Sequence, residues 1–247
     1  MFKSKQKNFL ISMLLLVLFL ATLGTAFSAD LNETLEAQEV SVSKDNLENS
    51  QNDIVQGSEI TVNGGKFSDI QKAIDNVDDG GTIHLNGYYS AQNNDAVVYV
   101  NKNIKIVGGS NAVLDGKNIS CIFSIQKTGS NCQISNLKFI NGMSGHGGAM
   151  VILGRDVTIE NSVFENNYAD YAGGAIYVLS IFDNNGKYPE EGENLIIRNC
   201  NFTNNFAQVA AGAIGVYGNN TQVRDCNFVS NKVKPITNHK SYRSEER

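Results

Sequence analysis

The sequence predicts an all-β fold: a right-handed parallel β-helix, a solenoid of ~25-residue coils with an N-terminal capping helix. Three observations predict it. A nine-residue unit recurs along the second half of the chain. A single segment beyond residue 30 carries a sustained helical apolar stripe. The composition, with 32 asparagines and 23 glycines against two prolines and no tryptophan, suits tight turns between short strands.

The chain opens on Lys3, Lys5 and Lys7, then the apolar run Phe9 to Leu23, then the small residues Gly24, Ala26, Ser28 and Ala29. This is a signal-peptide layout over residues 1–29, and it implies an extracellular protein, secreted or associated with the cell surface. The apolar run is shorter than the roughly 18–20 residues that cross a bilayer, so membrane contact is expected only through this segment, if it stays uncleaved. Its removal takes away three lysines and no acid, which makes the mature chain more acidic than the formal −5 of the whole. No basic stripe is present to displace counterions from phosphates, so nucleic acid is not an expected partner.

Residues 30–58 read as a flexible acidic leader, 59–233 as the β-helix domain, and 234–247 as a polar tail consistent with truncation. The domain begins at Ile60-Thr61-Val62. Phe67, Ile70, Ala73, Ile74 and Val77 then fall at helical spacing, with Ser68 placed as N-cap and Gly80-Gly81 ending the segment. Short β-rich runs follow, Thr82 to Leu85, Val97 to Val100, Ile104 to Val107, Ala112 to Leu114 and Cys121 to Ile125, too close together for helices between them.

The repeat starts at Asn131, Asp156, Asn194 and Asn220 and closes on Phe139, Phe164, Phe202 and Phe228. The long middle interval holds a polar insertion at about 183–193. A solenoid coil buries its inward side chains by stacking on its neighbours, so the phenylalanines are expected in one inward column and Ile134, Ile159, Ile197 and Val223 in another. Asn136, Asn161, Asn199 and Asp225 fall at the corner between two strands. Asn and Asp tolerate left-handed backbone, and their side chains can bond along the axis. Gly148, Gly174 and Gly212 recur as small residues where the backbone turns and packs closely.

Four cysteines, Cys121, Cys132, Cys200 and Cys226, allow three pairings into two bridges. Cys200 and Cys226 both lie two before a repeat phenylalanine, so they are expected to stack as thiols. Parallel side chains of that kind have poor disulfide torsion.

Residues 67–116, with Asp79-Gly80-Gly81-Thr82-Ile83, Gly87-Tyr88-Tyr89 and Asn103 to Gly108, resemble the cap and first coils of the pectin-lyase-like superfamily. The later marks are Phe164-Glu-Asn-Asn167 with Gly173 to Ile176, Phe202-Thr-Asn-Asn205 with Ala211 to Ile214, and Phe228-Val-Ser-Asn231. These are similar to the repeats of chlamydial polymorphic membrane proteins and of adhesin-like surface proteins of methanogenic archaea. The resemblance implies an adhesin-like role: a β-helix face binding a host or neighbouring cell surface, glycans or a cell-wall polymer.

An alternative is a polysaccharide lyase or glycoside hydrolase of that superfamily. Gly145-His146-Gly147 is its best sign, with His146 the candidate catalytic residue. A matching carboxylate pair is not visible, and aligned coils place Ala172 and Ala210 at the same turn position. The arginines Arg198 and Arg224, with Asp156, Glu160 and Glu165, read as an outward solvated row. No cofactor is expected. Asp115-Gly116 and Asp183 to Gly186 carry groups that could ligate calcium, and their ordinary reading is a turn. The insertion supplies the first binding candidates, Tyr188, Glu190 and Glu191, because loops on rigid scaffolds carry contacts. The sequons at Asn32, Asn118, Asn201 and Asn219 are weak signals in so asparagine-rich a chain.

Overall fold

The computed structural model describes residues 58–92, 97–179 and 192–234. The signal segment, most of the leader, the tail and the insertion residues Tyr188, Glu190 and Glu191 lie outside the described residues. The described chain forms a parallel β-solenoid of about six turns, with one α-helix among the described residues. Every strand pairing in it is parallel.

Each complete coil has four faces. In the third coil they are Gln133–Ser135, Lys138–Ile140, Met143–His146 and Met150–Ile152, in chain order. Equivalent strands of successive coils stack in exact register, as Ile134 pairs with Ile159, Ile159 with Ile197 and Ile197 with Val223.

The register comes from the backbone. Asn131, Asn136 and Asn141 have φ of 62°, 58° and 50°, and the same three positions recur as Asp156, Asn161 and Asn166, as Asn194, Asn199 and Asn204, and as Asn220, Asp225 and Ser230. Left-handed corners therefore fall five residues apart, with two inward and two outward side chains between them. The expected corners Asn136, Asn161, Asn199 and Asp225 are the middle members of these triplets. Asn and Asp occupy this conformation at less cost than other side chains.

Inward positions are filled as the repeat predicts. Phe139, Phe164 and Phe202 are fully buried. Their rings stack nearly parallel, 4.8 Å apart from Phe139 to Phe164 and again from Phe164 to Phe202. Phe228 continues the stack at 4.9 Å, and Phe123 closes its other end edge-on at 5.4 Å. Phe228 is 49% exposed because it lies in the last described coil. Each fully buried ring contributes on the order of 1.5–3 kcal/mol from surface removed from water, and a ring pair adds about 0.5–1.5 kcal/mol.

Amide bonding along the axis runs through two other columns. On the surface, Asn194 Nδ2 donates to Asp156 Oδ1 at 2.8 Å and Asn220 Nδ2 to Asn194 Oδ1 at 3.2 Å. Inside, the last residues of the Phe-x-x-Asn marks form a ladder. Asn205 Oδ1 accepts from the Asn167 backbone N–H at 3.0 Å and from Asn167 Nδ2 at 2.9 Å. Asn205 Nδ2 donates to Phe164 O and to Asn231 Oδ1. Asn205 is 0% exposed, so these bonds are what makes its burial tolerable.

The glycine column is steric. A Cβ on Gly174 would lie 2.2 Å from Gly212 O and 2.7 Å from Phe206 N, and one on Gly148 would lie 2.4 Å from Gly174 O. The turn residue before each is left-handed: Gly147, Gly173 and, without glycine's freedom, Ala211 at φ 54°.

The helix, Phe67–Asn76, covers the N-terminal end of the core with Phe67, Ile70, Ala73 and Ile74. It begins two residues earlier than it would with Ser68 as its N-cap. Lys66 is the N-cap, and Asp69 at the third helical position accepts its backbone N–H at 3.0 Å. That bond is the main reason the exposed Asp69 carboxyl titrates below its ordinary value. Gln71 fastens the helix to the first coil, accepting from Tyr99 N at 2.7 Å and donating to Tyr99 O at 3.3 Å. Its amide thus takes the place of a neighbouring strand at that edge. The first strand, Glu59–Lys66, runs past the expected stop at Asn63, with a register shift between Asn63 and Gly65.

All four cysteines are free thiols. Cys200 and Cys226 occupy the same column of adjacent coils, immediately before the paired Asn201 and Asn227. Burial pushes the thiols of Cys121, Cys132 and Cys200 up to about 12.

Phe202→Ala is expected to cost about 3–5 kcal/mol in urea unfolding, through lost burial and a cavity, whereas Asn201→Ala, whose side chain faces out, should stay within about 0.5 kcal/mol. Equal losses would mean the strand phase is wrong. Asn205→Ala orphans the buried Asn167 N–H and should cost roughly 1–3 kcal/mol for that group alone, measured against Asn194→Ala on the surface ladder. In timed alkylation followed by mass spectrometry at pH 8, Cys226 should react first and Cys121, Cys132 and Cys200 only on unfolding, because little thiolate forms three or more units below a pKa of about 12.

Candidate functional site

The outward surface of the first two faces is polar and paired. Arg198 contacts Glu160 Oε2 through Nη2 at 2.6 Å and Nε at 2.7 Å, Lys138 reaches Glu165 at 2.7 Å, and Arg155 reaches Asp156 at 3.0 Å. Arg198 of the expected row is thus ion-paired with Glu160 at the surface, and such pairs carry small energetic weight.

Asp115 is buried, and its oxygens are already engaged. Oδ1 accepts from Lys117 N and Asn141 Nδ2, and Oδ2 accepts from Tyr88 Oη at 2.5 Å and pairs with Lys117 Nζ at 3.2 Å. A carboxylate held by four donors, one of them cationic, does not fit a calcium ligand. The other calcium candidate, Asp183 to Gly186, lies outside the described residues.

His146 stands on the third face, in register with Ala172, which pairs onward with Ala210. The turn position read from the repeat is therefore the one it holds. Its neighbours are aromatic: the Tyr171 ring lies 5.1 Å away and the Tyr177 ring 4.4 Å away. Burial holds its pKa below the ordinary value of 6.5. Nδ1 is buried and has no hydrogen-bond partner. A general acid or base needs a titrating partner or access to substrate at the relevant nitrogen, and Nδ1 has neither.

His146 instead belongs to a band of rings that sequence reasoning did not pick out. Tyr177 lies 5.6 Å from Tyr217, so Tyr171, His146, Tyr177 and Tyr217 follow one another across the turn between the third and fourth faces. The ends of the band are open: Tyr171 is 42% and Tyr217 59% exposed, whereas Tyr177 is buried and its hydroxyl is pushed up to about 12. Gly215 occupies the equivalent place in the next coil, where a Cβ would approach the Tyr177 ring to 3.0 Å.

The band continues along the third face. Tyr168 stacks on Phe206 at 5.7 Å, nearly parallel. Tyr168 Oη donates to Asp170 Oδ1 at 3.1 Å, and Gln208 Nε2 donates to both Tyr168 Oη and Asp170 Oδ1. One strand, Tyr168–Ala172, thus carries two aromatic rings with a braced carboxylate between them. Part of this was legible: Met143, Tyr168, Phe206 and Lys232 all lie four residues after a repeat phenylalanine, and they are paired across coils. The roots of the 183–193 insertion reach the same region. Tyr217 N donates to Val178 O, and a Cβ on Gly218 would collide with Gly192 O.

Comparison with family models, with curated proteins and with solved structures finds no match for this chain.

Proposed function

We propose that this protein is an exported, adhesin-like surface module of the pectin-lyase-like superfamily that binds cells, glycans or surface polymers. The similarity of its paired Phe-x-x-Asn and Gly-Gly-Ala-Ile marks to those of polymorphic membrane proteins and archaeal adhesin-like proteins supports the family reading. The signal layout of residues 1–29 supports export. The observation that carries the binding reading is the aromatic band, whose end rings Tyr171 and Tyr217 stand 42% and 59% exposed on a regular stack of coils. Exposed apolar patches of this kind mark interaction surfaces. A face with strands about 4.8 Å apart also lets weak contacts repeat along an extended partner.

The test incubates the chain without residues 1–29 with whole cells and with insoluble polysaccharides. Retention in the pellet is expected, with no release of reducing or unsaturated ends. Absence of retention on every surface tried would refute the binding reading, and polysaccharide cleavage abolished by His146→Ala would replace it with the enzyme.

A further inference from the structure

The geometry points to a sugar site in the band: we infer that the ligand is a neutral polymer of pyranose rings, one ring packing on Tyr171 while its hydroxyls bond Asp170 and Gln208. This rests on the surface-binding reading above and gives that site a ligand class.

Pyranose rings are amphipathic. Their axial C–H groups form an apolar face that packs on an aromatic ring, and their equatorial hydroxyls need planar donors and acceptors at the edge. Segments 168–171 and 206–209 present both kinds of group together. Tyr171 offers an exposed ring, and Asp170 Oδ1 lies 3.1 Å from both Tyr168 Oη and Gln208 Nε2. The polar pair is therefore held in place before any ligand arrives, which reduces the ordering cost of binding.

Charge narrows the class. The chain carries a formal −5, and the carboxylate of Asp170 stands within the site. A polyuronate would meet like charge at the contact and in the long-range field, whereas a neutral glycan would not. The exposed rings at the two ends of the band come from consecutive coils, Tyr171 from the fourth and Tyr217 from the fifth. A chain of linked rings that follows the band across the turn engages both.

The experiment measures retention of the chain without residues 1–29 on insoluble cellulose, on chitin, on immobilised polygalacturonate, and on whole cells with and without their surface glycans, for wild type, Tyr171→Ala, Tyr171→Phe and Gln208→Ala. Thermal melts accompany each variant. Wild type is expected on a neutral polymer. Tyr171→Ala should weaken retention about tenfold, Gln208→Ala by about three- to tenfold, and Tyr171→Phe by less than about threefold, since stacking does not need the hydroxyl. Wild-type levels of retention in both Tyr171→Ala and Gln208→Ala would overturn the site and leave the surface-binding reading standing. Retention on polygalacturonate alone, or on a proteinaceous cell surface stripped of glycan alone, would overturn the ligand class. A wild-type chain held by neither polymer nor cells brings down the surface-binding reading itself.

Discussion

A triplet of left-handed residues five positions apart in each repeat is the constraint on which the rest of this molecule depends. It turns the chain and restarts the in-and-out alternation, so the two side chains after each corner point to the same sides in every coil. Asn131, Asn136 and Asn141 do this in the third coil, and their counterparts do it in the next three. Because the phase is reset locally, an error in one strand does not carry into the next. Every coil therefore presents its residues in the same phase, and equivalent residues stand above one another, Phe over Phe and Ile over Ile. Stability of such a stack accumulates from neighbour interfaces more than from a single central core.

Apolar columns alone leave the stack free to slide, since an isoleucine packs nearly as well on one apolar neighbour as on another. The Asn167–Asn205–Asn231 ladder removes that freedom. Each rung accepts the backbone N–H of the previous coil and donates to a carbonyl in it, as Asn231 Nδ2 does to Phe202 O at 2.8 Å. A slip of one residue would leave several of these groups buried and unpaired, at a cost well above that of a poorer apolar contact. Interior polar side chains thus specify register where the hydrophobic columns mainly supply burial.

What could be read from the sequence follows from what repeats. The phenylalanine and isoleucine columns, the middle corners, the close-packed glycines and the stacked cysteines each recur at fixed spacing, and the structure has them where the spacing puts them. The first corner of each triplet was visible as the start of the repeat and the third lies two residues past its closing phenylalanine, but nothing in a single strand distinguishes a corner from a turn. The helix N-cap was misplaced because the capping interaction is supplied by Asp69 from inside the helix, while Lys66 is not a residue type that signals a cap. The amides of the Phe-x-x-Asn marks read as motif, and their burial depends on where the corner places them.

The aromatic band was illegible for a deeper reason. Its rings occupy positions that are not equivalent between coils: His146 pairs with an alanine, Tyr177 with a glycine, and Tyr217 lies beyond the paired strand. Repeat analysis finds what is the same, and these residues are where the coils differ. The departures still depend on the repeat, because a Cβ at residue 215 of the next coil would approach the Tyr177 ring to 3.0 Å. A regular backbone therefore does two jobs at once here. It stabilises itself through identical contacts inside, and outside it holds unlike side chains at fixed separations, which is the condition a binding surface needs for its groups to act together on one ligand.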